Sequence, residues 1–492
     1  MSKTQPRKRS RAQQLSCAVS IVGSLTLLAC GASSAAPQQQ GDGMHSRLVS
    51  VEPETADGAE ADTGDGAEAD TGDGAAADTG DGAEADTGDG AEADTGNGAA
   101  ADTGDGVEAG SSSPDDATGA DPADAPVPAA GETDTDEDGL ADSVETDTGV
   151  FVNVRNTGTS PRLKDTDLDG VSDAVEIFGT KSGVNLRAMG ASPVHRNIFL
   201  EYDWFDEAFE CGAHNHRPTP EMLARIDAAF AAAPVKNPDR KSGIKLIHDY
   251  GQGAAFTGGT KIEVAKSIIE GDVTAADFRA FRDANFKANR AGIFHWVLMG
   301  HHYRVVENGQ EITDSSGNAE QPGTALMVTL GCENDLASVA NTLMHELGHN
   351  LGLAHGGDQL TSTGDDVNYK PNYNSVMNYR YQFEGVDTQC TASGDGTLEN
   401  PLPGTLDYSR GKLASLDENA LKETVGLCGG KALDWNKNQQ IDTVDVSTDI
   451  NDDKVQSVLH DFDDWALVLA RNTLIRTVAE TKAPICQARP KK

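Results

Sequence analysis

Residues 190–432 are predicted to fold as an α+β domain, a mixed twisted sheet with helices packed against it. Three features point there: strand-length apolar runs, two helices with apolar residues at helical spacing, and a longer third helix ending in a histidine-rich motif. Asn197-Ile198-Phe199-Leu200-Glu201-Tyr202 reads as the first strand. Thr219-Pro220-Glu221 opens a helix, because Thr caps free N–H groups, Pro suits the first turn and Glu complements the dipole. Met222, Ile226, Ala229, Phe230 and Ala233 then recur at helical spacing, and Pro234 follows the end. Ile244 to Ile247 is a strand, a second capped helix spans about Thr274 to Ala288, and Ile293–Met299 and Ala325–Leu330 are strands apolar enough to be central.

The third helix starts near Asp335, with Leu336, Val339, Ala340, Leu343, Leu347 and Leu351 as one apolar stripe. Ser338, Asn341, Thr342, His345 and His349 lie on a more polar face. The helix ends in His345-Glu346-Leu347-Gly348-His349-Asn350-Leu351-Gly352-Leu353-Ala354-His355. Two histidines four apart are neighbours one turn apart and can both reach one zinc at ~2.0 Å. Glu346 follows the first ligand, where it can act as general base without being a ligand. Gly352 lets the helix stop and the chain turn, so that His355 swings back as the third ligand. Asn374-Ser375-Val376-Met377-Asn378-Tyr379 lies 22 residues beyond His355.

The eleven-residue pattern H-E-x-x-H-x-x-G-x-x-H is the metzincin signature, and the Met377 segment resembles the metzincin Met-turn. The resemblance covers roughly 195–385. It implies a zinc peptidase fold, with Met377 a structural support beneath the zinc histidines and Tyr379 a residue that binds zinc or steadies the oxyanion. His355-Gly356-Gly357 and the stretch Tyr369–Tyr381 look like a group of bacterial metzincin-like lipoproteins.

A small module at 133–182 precedes this domain. Asp134, Asp136, Asp138, Asp142 and Glu145 stand at positions 1, 3, 5, 9 and 12 of a twelve-residue loop with Gly139 at position 6. Asp165, Asp167, Asp169, Gly170, Asp173 and Glu176 repeat the pattern. This is EF-hand ligand spacing, oxygen ligands around one Ca²⁺ with a glycine for the sharp turn. Ala141 and Ser172 replace the usual apolar residue at position 8, so the loops look like thrombospondin type 3 repeats. A third candidate, Asp434, Asn436, Asn438, Asp442 and Asp445, has Ile441 at position 8 but Gln439 where glycine should be; it opens a segment, 433–486, of acidic loop and apolar helix. The alternative for each loop is a solvated acidic turn.

The first 30 residues read as an export signal: Lys3, Arg7, Lys8, Arg9 and Arg11, then an apolar stretch from Leu15 to Ala29, too short for a permanent span. Leu27-Leu28-Ala29-Cys30-Gly31 resembles a bacterial lipobox, in which Cys30 is acylated; the alternative is an ordinary cleaved signal. Residues 31–132 read as a disordered, self-repelling spacer with six copies of an octapeptide, Asp-Gly-Ala-Glu-Ala-Asp-Thr-Gly and variants, between Asp57 and Gly104. No large apolar residue occurs in the repeat. Between Gly41 and Gly131 stand 24 acidic residues and one basic, so −23 of the chain's −40 belongs to this tract and says little about substrate. Nucleic acid is excluded as a partner, since no basic patch exists to bind phosphate against that field.

Five cysteines remain beyond Cys17 and Cys30: Cys211, Cys332, Cys390, Cys428 and Cys486, which suggests two disulfides and a free thiol with the pairing open. Cys211-x-x-His214-x-His216 could bind metal, or Cys211 could mask the zinc as a latency switch, but its place inside the catalytic domain favours a plain loop; His301-His302 reads as structural, there being no acid or cysteine nearby in sequence. The functional expectation is a lipid-anchored or secreted zinc endopeptidase of the bacterial envelope, outer membrane included, with one catalytic Zn²⁺, two Ca²⁺ and room for a third. Its partners are a protein or peptide substrate and, through the anchor only, a membrane. Two alternatives stand: a calcium-dependent adhesion or scaffold lipoprotein with a vestigial zinc site, and a zinc hydrolase of non-peptide amides or cell-wall crosslinks.

Overall fold

A computed structural model describes residues 132–471 apart from 264–267, 308, 314, 333–334, 358–366, 387–404 and 428–430, together with 486–487. The signal, Cys30, the octapeptide spacer, Cys390 and Cys428 lie outside the described residues, and for Cys486 only the backbone is described.

The strands are β1 (Asn197–Glu207), β2 (His214–Asn215), β3 (Lys245–Asp249), β4 (Lys261–Glu263), β5 (Ile268–Glu270), β6 (Phe294–Met299), β7 (His302–Glu307), β8 (Gln310–Ile312), β9 (Gly317–Ala319), β10 (Ala325–Val328), β11 (Leu416–Asp417), β12 (Val458–Leu459) and β13 (Cys486–Gln487). The helices are α1 (Asp173–Phe178), α2 (Pro220–Ala231), α3 (Ala276–Asn285), α4 (Leu336–Asn350) and α5 (Asp464–Arg471). The main sheet is mixed, in the order β13-β9-β10-β6-β1-β2, with β3 and β4 also paired to β1. β1, β3, β4, β6 and β10 run parallel to their neighbours, while β2, β9 and β13 pair antiparallel.

Both faces of this sheet are covered, which is why its central strands are apolar without alternation. Val297 and Met299 of β6, with Leu326 and Val328 of β10, pack with α2 and α4 in the largest apolar cluster. Trp296 and Leu298, with Ala325 and Met327, point the other way, into a cluster with Phe278 of α3. β1 runs on to Glu207, beyond the predicted end at Tyr202. Glu201 within that strand and Asp203 just past its predicted end are both buried and paired. Arg290 bridges Glu201 (2.8 Å) and Asp249 (2.6 Å), and Asp203 accepts from Trp296 Nε1 at 2.6 Å and from Thr260.

Thr219 caps α2 as expected, accepting from Met222 N at 3.3 Å. The second predicted helix is shorter, and Thr274 does not cap it; the N-cap is Ala275, and the Thr274 hydroxyl donates instead to Asp272. Asp335 caps α4 by accepting from Ser338 N at 2.9 Å. Leu336 stays exposed, while Ser338, Asn341 and Thr342 of the expected polar face are buried, because the chain beyond α4 folds back over that side.

The loops flanking this core are continuous with it. Val171, Val184 and Leu186 share a cluster with Phe199 of β1, Ile247 and Phe294. Trp465 and Val468 of α5 lie in the cluster that holds α4, and Trp465 Nε1 donates to Asp407 at 2.8 Å. A disulfide joins Cys211 to Cys332, with Cα atoms 5.9 Å apart.

Candidate metal centre

α4 delivers His345, Glu346 and His349 to one point because i and i+4 lie one above the other on a helix. Gly352, at φ +93°, ends the helix; its N–H donates to His349 O and that of Leu353 to Gly348 O, both at 2.8 Å. The turn brings His355 back. The Nε2 atoms of His345 and His355 lie 3.1 and 3.2 Å from His349 Nε2. Both helical imidazoles are held by their other nitrogen: His345 Nδ1 donates to Val376 O (2.9 Å) and His349 Nδ1 to Leu353 O (2.8 Å). This fixes the tautomer with the Nε2 lone pairs facing inward. Burial pushes His345 well below the usual imidazole range and His349 down to about 4, so both are neutral and able to coordinate. The arrangement can hold a metal ion, and the donor set of three neutral imidazoles suits zinc.

Glu346 is fully buried, and among the described residues neither carboxylate oxygen has a hydrogen-bond partner. Burial pushes its pKa well above the usual carboxylate range. An orphaned carboxylate there is costly unless a cation or a reacting water faces it. Gly317 of β9 makes its room: a Cβ at 317 would stand 2.6 Å from Glu346 Oε1 and 2.7 Å from Met327 O.

Met377 is fully buried beneath the motif helix. A Cβ on Gly348 would come within 2.3 Å of its sulfur and 3.1 Å of the Tyr408 hydroxyl, which itself donates to Met344 O at 2.6 Å. The motif's Gly348 is therefore a contact point for the methionine. The half-buried Tyr379 ring sits 4.3 Å from the His355 ring and 5.7 Å from that of His345, centroid to centroid.

The acidic loops take one shared path. Position 4 and position 6 are left-handed in the first (Glu137, Gly139), the second (Leu168, Gly170) and the third (Lys437, Gln439), so Gln439 adopts the conformation that favours glycine. In the first two, the position-1 carboxylate accepts from the N–H groups of positions 4 and 6. Asp142 and Asp173 each accept from the residue at position 2. Asp136 Oδ2, Glu145 Oε2, Asp167 Oδ2 and both oxygens of Glu176 are buried with no partner. Burial, then mutual repulsion, raises Glu145 to about 8 and pushes Asp167 and Glu176 well up; burial likewise raises Asp173 to about 8. The loops also hold each other and the sheet: Asp138 accepts from Ala174 N (3.1 Å) and Asp169 from Asn197 N of β1 (2.8 Å). In the third loop, Asn436 and Asn438 amides donate to Asp442, and Asp445 is exposed.

Sequence reading passed over a fourth stretch on this path. Asp449 accepts from Asp452 N and Lys454 N, both left-handed, and Asp453 accepts from Val455 N. Buried Glu418 holds it at Ile450 N and Ser457 N, as Glu423 holds the third loop at Trp435 N and Asp442 N. The Asp449-x-Asn451-x-Asp453 spacing was visible; lysine in place of glycine hid it.

No family model matches the chain, and no curated protein matches it. Among solved structures, an archaemetzincin from Methanopyrus kandleri aligns over 38% of this chain and 81% of its own, at 15% identity and TM-score 0.21. A chaperone–substrate complex aligns over 58% of this chain at 12% identity and TM-score 0.25; this chain spans about a third of that one, 35%. Likenesses this slight decide neither family nor activity.

Proposed function

We propose that the protein is a zinc-dependent endopeptidase of the metzincin type, with His345, His349 and His355 as zinc ligands and Glu346 as general base. The observation that supports this best is the convergence of three imidazole nitrogens beside a buried carboxylate that has no other partner. Zinc held there supplies a Lewis acid that polarises a scissile carbonyl and acidifies water. Glu346 takes the proton from the attacking water and passes it to the leaving amine. A cation beside Glu346 opposes the upward shift that burial imposes, so the carboxylate is ionised when it acts. The Tyr379 hydroxyl, carried beside His355, donates a hydrogen bond to the oxygen on which charge develops. Met377 supports the histidines from below.

In this proposal the acidic loops bind Ca²⁺, two in the module at 133–182 and a third at 434–445, since a divalent cation satisfies the stranded oxygens of Asp136, Glu145, Asp167 and Glu176. Cys30 carries a lipid anchor that places the enzyme on the bacterial envelope.

Glu346→Gln keeps the side-chain shape and removes the proton acceptor. It should retain stoichiometric zinc and lose turnover of a peptide library by ~10²- to 10⁴-fold. Wild-type cleavage by this variant refutes the assignment. Parent protein that holds zinc yet cleaves amides of sugars or wall crosslinks, and no peptide, redirects it to those substrates.

A further inference from the structure

The end of the sheet where β1 turns into β2 carries a second cluster of histidines. β1 leaves the sheet near Glu207 and returns as β2, pairing Glu207 with His214 and Asp206 with Asn215. His216 N continues the ladder by donating to Phe205 O at 3.0 Å. Residues two apart on a strand share a face, so His214 and His216 present their rings on the same side. β6 runs parallel to β1, pairing Met299 with Trp204, and so ends beside this hairpin, delivering His301 and His302.

The rings of His214, His216 and His301 form a near-equilateral triangle with centroid separations of 4.9, 5.1 and 5.1 Å. His216 Nε2 and His301 Nδ1 are 3.0 Å apart. His214 Nδ1 donates to Gly212 O at 2.8 Å, which leaves its Nε2 as a lone pair, buried and without a hydrogen-bond partner. On the far side of His301, Nε2 faces Glu210 at 3.5 Å, and His302 Nε2 faces the same oxygen at 3.4 Å. Glu210 therefore favours the tautomer that turns the Nδ1 lone pair of His301 toward His216. The backbone is anchored on both sides: the Cys211–Cys332 disulfide holds the residue after Glu210, and Gly331 N donates to His301 O at 2.8 Å.

His214 Nε2 meets no donor among the described residues, and a buried acceptor left so is costly unless a cation takes its lone pair. A tetrahedral cation with bonds of ~2.0 Å places its nitrogens ~3.3 Å apart, near the 3.0 Å between His216 Nε2 and His301 Nδ1, and the three histidines offer donor atoms within 4.8 Å of one another. Imidazole donors select zinc-like transition metals over calcium.

We propose that His214 Nε2, His216 Nε2 and His301 Nδ1 form a second zinc site, oriented by Glu210, that staples the β1–β2 hairpin to the end of β6. It is independent of the site at His345.

The test is zinc content of the full chain, stripped with chelator and reloaded with Zn²⁺ alone in excess calcium to occupy the acidic loops. The parent should hold two zinc ions. His214→Asn with His216→Asn should hold one, and His349→Ala should lose the other. A double variant that keeps both ions overturns the proposal. If that variant does not fold, calorimetric titration of the stripped parent decides: two zinc sites support the proposal, and a single site that disappears with His349→Ala overturns it while leaving the motif site intact. No zinc at the motif with one ion removed by the hairpin substitutions would separate the two assignments the other way.

Discussion

Gly317→Ala tests whether Glu346, the proposed general base, depends on a glycine of β9, a strand flanked by β10 and β13. The new methyl would sit 2.6 Å from Glu346 Oε1, 2.8 Å from its Cγ and 2.7 Å from Met327 O. All three are shorter than carbon and oxygen tolerate, so something must move by several tenths of an ångström. β9 cannot retreat freely, because Val328 and Met327 of β10 pair with it and the Tyr303 hydroxyl donates to Gly317 O at 3.1 Å. Overpacking of this kind costs ~1–3 kcal/mol. In a chain of this size each kcal/mol lowers the melting temperature by ~2–4 °C, so a fall of about 2–12 °C is expected. Displacing Glu346 by a fraction of an ångström should also reduce peptide turnover by ~10- to 100-fold. Zinc content should not change, since no ligand is touched. Differential scanning calorimetry and turnover on one peptide substrate, with zinc content alongside, read all three. The same substitution in a Glu346→Ala background should destabilise less, because only the Met327 contact remains. A Gly317→Ala protein that melts and turns over like the parent would show that the strand yields and that the glycine is incidental.

Asp138→Ala with Asp169→Ala should remove calcium from the first two loops and most of the calcium-dependent rise in melting temperature; an unchanged calcium count by titration means the loops are solvated acids only. Because Asp169 also accepts from Asn197 N, the loss should reach the start of β1, seen as faster amide exchange there. Asp464 is fully buried, accepts from Tyr373 and Ser409, and is raised to about 7, chiefly by burial. A raised carboxyl stabilises the fold below its unfolded value near 4, and that stability drains as pH rises through 7, by up to ~4 kcal/mol. Asp464→Asn should flatten the stability–pH curve between 4 and 7; parallel curves for parent and variant would refute this. Arg290→Met strands Glu201 and Asp249 without their cation and should cost ~3–5 kcal/mol in urea unfolding, part of it recovered by adding Glu201→Gln and Asp249→Asn.

Legibility from sequence followed the range of the interaction. α2, with Thr219 as cap and apolar residues every third or fourth position, is local chemistry and could be read directly. The same holds for His345, His349 and the turn at Gly352, where helical spacing and one left-handed glycine bring three imidazoles together within eleven residues. The twelve-residue acidic loops are local in the same sense, though the lysine of the fourth concealed it. What sequence could not show was any partner far along the chain. The partners that let β1 bury Glu201 and Asp203, Arg290 and Trp296, stand about ninety residues on. Gly317 gave no sign of its role, because its close neighbour Glu346 belongs to another element. The His214–His216 pair could be seen as a metal-binding pattern, but its partner His301 could not; they meet only because β1 and β6 lie side by side in the sheet and end together. Local spacing is written in the order of residues, whereas cross-strand adjacency depends on which strands pair, and that is decided by burying both faces of the sheet at once.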